Sequence, residues 1–263
     1  MASMRDIKRR KDSIQSTGQI TKAMKLVSTV KLQKAKGRAE NTKPYFDLMY
    51  ETVQSILAKS GHINHKYLKE SESDKKAVIV VTANRGLAGG YNSNITRMII
   101  DEGFTKENTV VYAVGKKGRE LLERKGYEIK ADYSEAINDP IYKDAKEICD
   151  DVLSAFADGE VGEIYLAYTV FKNTVVHEPQ LIRLLPVEAD DAAHETDGSE
   201  ALMTYEPSEE EALDMIIPKY VCSLVYGALI ESVASENGAR MQAMDSATSN
   251  AEEMISTLSL KYN

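Results

Sequence analysis

The segment with the most chemical promise runs Asn84-Arg85-Gly86-Leu87-Ala88-Gly89-Gly90. It follows an apolar run, Ala77–Thr82 (AVIVVT), where a strand hands over to a helix and where many α/β proteins hold phosphate. Neither phosphate-binding fingerprint is complete, because no G-x-G-x-x-G occurs and no Lys-Ser/Thr follows the glycines. The segment therefore reads as a tight turn, in which Asn84 and Arg85 are the groups suited to an anion. His62 and His65 share helical spacing, but no cysteine or carboxylate pair completes a metal set around them. The two cysteines, Cys149 and Cys222, each sit inside a helical pattern with no histidine partner, and there is no G-x-S-x-G elbow. Two internal cysteines suit a reducing compartment better than a disulfide framework. Acidic residues crowd together, eleven of them between Glu188 and Asp214 with no Lys or Arg, which is the pattern of a solvated loop. Nothing places an acid and a base across a cleft, so catalysis by this chain alone is not expected.

The elements around these residues are unusual in length. Residues 1–59 and 208–263 both read as single long helices, and a helix of ~55 residues spans roughly 80 Å at 1.5 Å per residue. Two such helices of matched length most simply pair antiparallel into a projecting coiled coil. In the first, Ile7, Ile14, Thr21, Ser28 and Ala35 form a heptad-spaced seam that thins from large to small side chains. Met24, Leu26, Val27, Val30 and Leu32 lie off that line, as expected of a helix contacted on more than one side. In the second, the seam is Gly227, Ile230, Ala234, Asn237, Met241, Met244, Thr248, Ala251, Ile255, Leu258 and Tyr262. Its small residues allow close approach of a partner helix. Pro44 and Pro218 are expected to kink or weaken these helices. Ser208 with Glu211 forms a capping box at the start of the second.

Charge is unevenly shared. Met1–Lys43 carries twelve Lys/Arg against three Asp/Glu, a net +9, so the rest of the chain carries −17 of the total −8. A basic end on an acidic protein calls for an acidic partner, either protein or nucleic acid. No apolar run approaches the ~20 residues of a membrane span, and Asp6 and Asp12 break any resemblance of the start to a transit peptide.

Between the helices, a linker at 60–76 leads into an α/β domain at 77–207, whose acidic loop occupies 188–207. Strands are expected at 77–82, 109–114, 127–131, 161–170 and 180–187, with helices at 91–102, 116–125 and 141–156. Such alternation gives a mostly parallel, Rossmann-like sheet with helices on its faces and leaves the last two strands free to pair antiparallel. The fold class is therefore α/β, a long antiparallel coiled coil with a Rossmann-like domain.

Three segments in order, Met1–Lys36, the ANRGLAGGYN stretch and SENGARMQAMDSATSNA at Ser235–Ala251, resemble the gamma subunit of F-type ATP synthases of bacterial type. HEPQLIRLLP and YEPSEEE add to the likeness, which covers essentially the whole chain. The resemblance implies a central rotor shaft inside a ring of three alpha and three beta subunits. Its α/β domain would sit below, against the epsilon subunit and the membrane ring of c subunits. It also implies no catalysis, nucleotide or metal of the chain's own, ATP, ADP and Mg being held by partner subunits. The location implied is the cytoplasmic face of the cell membrane, peripheral to it through the complex, with no nucleic acid involved. By position, Arg9, Arg10, Ile20, Lys22, Met24 and Val27, with Arg240, Gln242 and Met244 opposite, match the zone facing the alpha/beta ring. Tyr205 and Glu206 match the foot on the c ring and epsilon. The family's last helix is expected to run several turns past the position of Asn263, and the cysteine pair of redox-regulated chloroplast forms is absent. The competing reading from charge alone is a basic-helix adaptor or nucleic-acid-binding protein.

Overall fold

The computed structural model describes residues 4–59, 65–69, 73–187 and 208–262. Two helices dominate it, α1 at Met4–Lys59 (56 residues) and α5 at Glu209–Tyr262 (54 residues). They are antiparallel: Thr21 meets Thr248, Lys25 meets Asp245, Phe46 meets Tyr226 and Tyr50 meets Tyr220, so each step along one helix is matched by a step back along the other. The seam read from the sequence is the one that packs. Thr21, Ser28 and Ala35 of α1 are buried, as are Ile230, Ala234, Asn237, Met244 and Ala251 of α5.

Small side chains set how close the helices come. A Cβ added at Gly18 would lie 3.3 Å from Cβ of Ala251, and one at Gly227 would lie 3.2 Å from the Phe46 ring. Thr21 and Thr248 share a hydrogen bond of 2.7 Å across the seam, so a polar contact fixes register where large apolar knobs are missing. Both prolines lie inside continuous helix. A helix-interior proline costs about 3 kcal/mol, and at Pro218 the neighbouring Leu213, Ile217, Tyr220 and Val221 are all buried. Burial of even two such side chains, at about 1.5–3 kcal/mol each, outweighs that cost. At the start of α5, the Glu211 amide donates to Ser208 Oγ at 3.2 Å, the expected cap.

The intervening chain gives β1 (Lys76–Val81), α2 (Tyr91–Asp101), β2 (Thr109–Val114), α3 (Lys116–Glu123), β3 (Glu128–Asp132), α4 (Tyr142–Ala157), β4 (Glu163–Phe171) and β5 (His177–Leu185). The sheet order is β3-β2-β1-β4-β5, with the first four parallel and β5 antiparallel to β4. β5 begins three residues earlier than the sequence suggests, because it is an edge strand and Pro179 can sit there without losing a ladder bond. One face of the sheet packs on α2 and α3 through Val78, Val80, Ile95, Ile99 and Leu122. The other packs on α4, the end of α1 and the first half of α5, through Ile79, Ile148, Val152, Val53, Leu213, Ile217 and Val221. One stretch of α5 is apolar enough, by length and composition, to cross a membrane, contrary to the sequence expectation; more than half of it is buried in this core. The linker and the acidic loop fall largely outside the described residues. His65, in the described part, is buried, with Nε2 at 3.2 Å from Asp214 Oδ1 on α5.

Candidate partner-binding surface

Two opposite demands meet on the upper shaft, where α1 and α5 leave the body. The narrow seam buries only one line of each helix, so apolar residues off that line have nowhere to go. Ile20, Leu26, Val27 and Val30 are 58, 62, 57 and 66 % exposed. Met254 and Leu260 of α5 are exposed as well. Interleaved with them on α1 are Lys8, Arg9, Arg10, Lys22 and Lys31, which have no acidic partner among the described residues. Other cations of α1 are paired, among them Lys25 with Asp245 at 2.5 Å and Arg38 with Asp139 at 2.5 Å. Scattered single apolar residues on a surface are ordinary; a band of them with unpaired cations along a bare helix pair is an unmet interface.

The residues picked out from sequence divide into four groups. Arg9, Arg10, Ile20, Lys22 and Val27 are exposed, and Met24 is half-buried. Met244 is buried against α1, at 4 % exposure. Arg240 and Gln242 turn toward the body. Arg240 pairs with Glu236 at 2.6 Å, and its second terminal nitrogen lies 3.4 and 3.3 Å from the carbonyls of Arg85 and Gly86. The arginine thereby ties the glycine turn to the shaft, a use that helical spacing alone does not reveal. Tyr205 and Glu206 lie outside the described residues.

Three further features escaped the sequence reading. Leu87, in the glycine turn, has φ 62° and is 65 % exposed, a left-handed conformation that costs a leucine roughly 1–2 kcal/mol. Arg38 reaches both Asp139 and the Pro140 carbonyl, so α1 is clamped to the loop before α4. Cys149 and Cys222 lie against each other in the core, both free, and the neighbouring sulfur together with burial pushes the Cys149 thiol well up. No group of three or more His, Cys, Asp or Glu suited to a metal occurs among the described residues.

A slim antiparallel helix pair, bare and chemically unmatched on its outer faces, carried on a small α/β body, defines a stalk subunit, a part made to be enclosed by others. Comparison with known proteins gives the particular kind. The ATP synthase family model matches residues 3–263. The ATP synthase gamma chain of Lachnoclostridium phytofermentans is 68 % identical, over 100 % of this chain and 92 % of that one. The sodium-ion-specific gamma chain of Acetobacterium woodii is 41 % identical, over 99 % and 92 %. Among solved structures, the central stalk and c ring of Tetrahymena thermophila mitochondrial ATP synthase matches with a TM-score of 0.65 at 26 % identity, covering 87 % of this chain and 99 % of that one. The rotor of the Euglena gracilis enzyme shares the fold, with a TM-score of 0.70 at 16 % identity over 99 % and 96 %. The chain belongs to the gamma-chain family of ATP synthases, as a central-stalk component of an ATP-synthesising, membrane-associated complex.

Proposed function

We propose that the upper shaft is the surface gripped by three alpha and three beta subunits, and that the chain transmits rotation without catalysing anything itself. The observation that carries this reading is the band of exposed Ile20, Leu26, Val27 and Val30 beside the unpaired Arg9, Arg10 and Lys22. A ring with acidic, partly apolar inner loops complements that band. The two helices differ in charge and shape, so each rotational angle presents a different face to each beta subunit. A shaft can shift the open and closed states of a catalytic site only by such differential contact, and by reciprocity nucleotide exchange in the ring biases the angle of the shaft. Exposed ion pairs contribute about 0–1 kcal/mol each, so torque rests on shape and many small contacts, with charge steering them.

In this reading Met24, Met244, Arg240 and Gln242 belong to the same level of the shaft. Half-buried Met24 contributes to its surface, Met244 packs beneath it against α1, and Arg240 and Gln242 act from the side of the glycine turn. Tyr205 and Glu206 form the foot toward the c ring and the epsilon subunit, in keeping with the c ring resolved beside the Tetrahymena stalk. The chain binds no cofactor; ATP, ADP and Mg belong to its neighbours. The complex holds it at the cytoplasmic face of the bacterial membrane. The deciding experiment is co-purification: the full chain should come down with about three alpha and three beta subunits per copy at physiological salt, a stoichiometry the resemblance implies. Recovery with nucleic acid and no hexamer would overturn the reading. Met24→Lys adds charge at the gripped level and should impair ATP-driven ion pumping while assembly persists; unchanged pumping would displace Met24 from the contact zone.

A further inference from the structure

The layer formed by α4 and α5 holds two reactive groups that the partner-binding surface does not use. Cys149 lies in the middle of α4 and Cys222 in the first half of α5, far apart in sequence, and both are free thiols. They belong to one core cluster, where α4 packs directly on α5. Across that interface the Cys149 S–H donates to the Cys222 sulfur. Sulfurs already in hydrogen-bond contact need only a small approach to reach the roughly 2.0 Å of an S–S bond.

The two thiols are not equivalent. Cys149 is 0 % exposed and Cys222 5 %. The S–H of Cys149 holds the Cys222 thiol below its ordinary range, while the same contact, together with burial, pushes Cys149 well up. Lys146 and Asp150, an ion pair on the outer side of α4, face both sulfurs with opposite charges. Tyr142, an exposed residue at the start of α4, hydrogen-bonds the side chain of Ser223, the neighbour of Cys222. With Tyr45, Phe46 and Tyr226 it lines a cavity of about 360 Å³, one helical turn along α5 from Cys222. A free cysteine in a core is ordinarily inert, and reactivity needs thiolate character together with access. Cys222 is the better placed of the pair on both counts.

We infer that Cys222 and Cys149 are a peroxide-sensitive pair, oxidised by hydrogen peroxide to a disulfide that fastens α5 to α4. The Cys222 thiolate attacks one peroxide oxygen and the O–O bond breaks. Hydroxide leaves, takes up a proton as water, and Cys222 becomes a sulfenic acid. Cys149, the sulfur already in contact, then attacks the Cys222 sulfur. The S–O bond breaks, and the departing oxygen takes the Cys149 proton and leaves as a second water. Two thiols lose two electrons, and the peroxide is reduced to two waters. Thiol reductants reverse the bond, in keeping with the transient, redox-sensing use of disulfides in reducing compartments. Access selects the oxidant: peroxide is little larger than water, whereas oxidised glutathione cannot bring its S–S bond to a sulfur so nearly buried. Because α5 continues into the shaft, the bond ties the base of the shaft to the body at a covalent point.

The test uses the full chain, fully reduced and then exposed to a small excess of hydrogen peroxide. Digests made without reductant should contain the Cys149 peptide joined to the Cys222 peptide, lighter than the two free peptides by two hydrogens. Dithiothreitol should separate them. The amides of α4 should exchange with solvent more slowly in the oxidised chain than in the reduced one. Oxidised glutathione at the same concentration should leave both thiols free. In Cys149→Ser, peroxide should leave Cys222 as a sulfenic acid that dimedone traps; in Cys222→Ser, Cys149 should survive as a thiol. Two free thiols in the parent after peroxide, or a bond formed only between copies of the chain, would overturn the proposal. So would oxidation of Cys149 at the parent's rate in Cys222→Ser, or closure by oxidised glutathione as fast as by peroxide. Unchanged exchange along α4 once the bond has formed would overturn the fastening.

Discussion

The two halves of the long helix pair are built on different rules. Near the body, α5 presents Leu213, Ile217, Val221, Val225 and Leu229, all fully buried, and α1 presents Val53, Ile56 and Leu57 to the same core. Beyond Ala234 the contacts shrink to Gly18 with Ala251, Thr21 with Thr248, Ser28 and Met244. The lower half is a layer of an α/β domain that happens to be made of shaft; the upper half is a thin pair holding itself together by close approach. Stability is concentrated in the first and recognition in the second, so substitutions should separate the two properties.

The largest separation should come from Ile217→Ala. Emptying a fully buried site in the lower core costs about 2–5 kcal/mol, so the unfolding midpoint should drop sharply. Ile20→Ala, on the exposed shaft, should stay within about 0.5 kcal/mol of the parent while weakening hexamer binding. Equal destabilisation by both would erase the distinction. Next, Gly18→Leu forces the upper pair apart where only 3.3 Å separates an added Cβ from Ala251. Overpacking of this kind costs about 1–3 kcal/mol, and limited proteolysis should show the shaft cut faster with the body intact.

Glu231 sharpens the border between the halves, and with the opposite sign. Burial holds its carboxyl above the ordinary value of 4.5, Phe171 donating one backbone hydrogen bond to it and Oε2 having no partner. As pH rises through the ordinary glutamate range, the unfolded chain releases the proton first, so ionisation favours unfolding. Glu231→Gln should therefore melt higher than the parent at neutral pH, with the gain disappearing below the ordinary glutamate range. A gain that persists at low pH would assign it to packing. The smallest effect is expected from Lys25→Ala, which removes an exposed pair with Asp245 worth about 0–1 kcal/mol; a larger loss would mean that charge, rather than small side chains, holds the upper pair.

Local periodicity made much of this readable in advance. The heptad line from Ile7 to Ala35 and the small-residue line from Gly227 to Ala251 need only the spacing within each helix, and the structure buries the central residues of both. The runs at Ala77 and Thr109 are β-branched and bounded by turns, so they place themselves. What stayed hidden depends on partners far apart in the chain. Arg240 looks like a surface cation until the Arg85 and Gly86 carbonyls are brought to it. Arg38 gives no local hint of Asp139, nor Cys149 of Cys222. The prolines interrupt neither helix for the same reason: propensity is local, and the burial around Pro218 that offsets it is not.

The unbroken course of α5, from Glu209 to Tyr262 and through the core at Leu213 and Ile217, has one more implication. With a single helix anchored at one end in a packed interior and, in the proposed arrangement, gripped at the other, there is no swivel between body and tip. A twist applied to the body must reach the far end as wind-up of hydrogen-bonded backbone, so whatever springiness the motor shows belongs to helix torsion and to the slender upper pair, not to a clutch that slips.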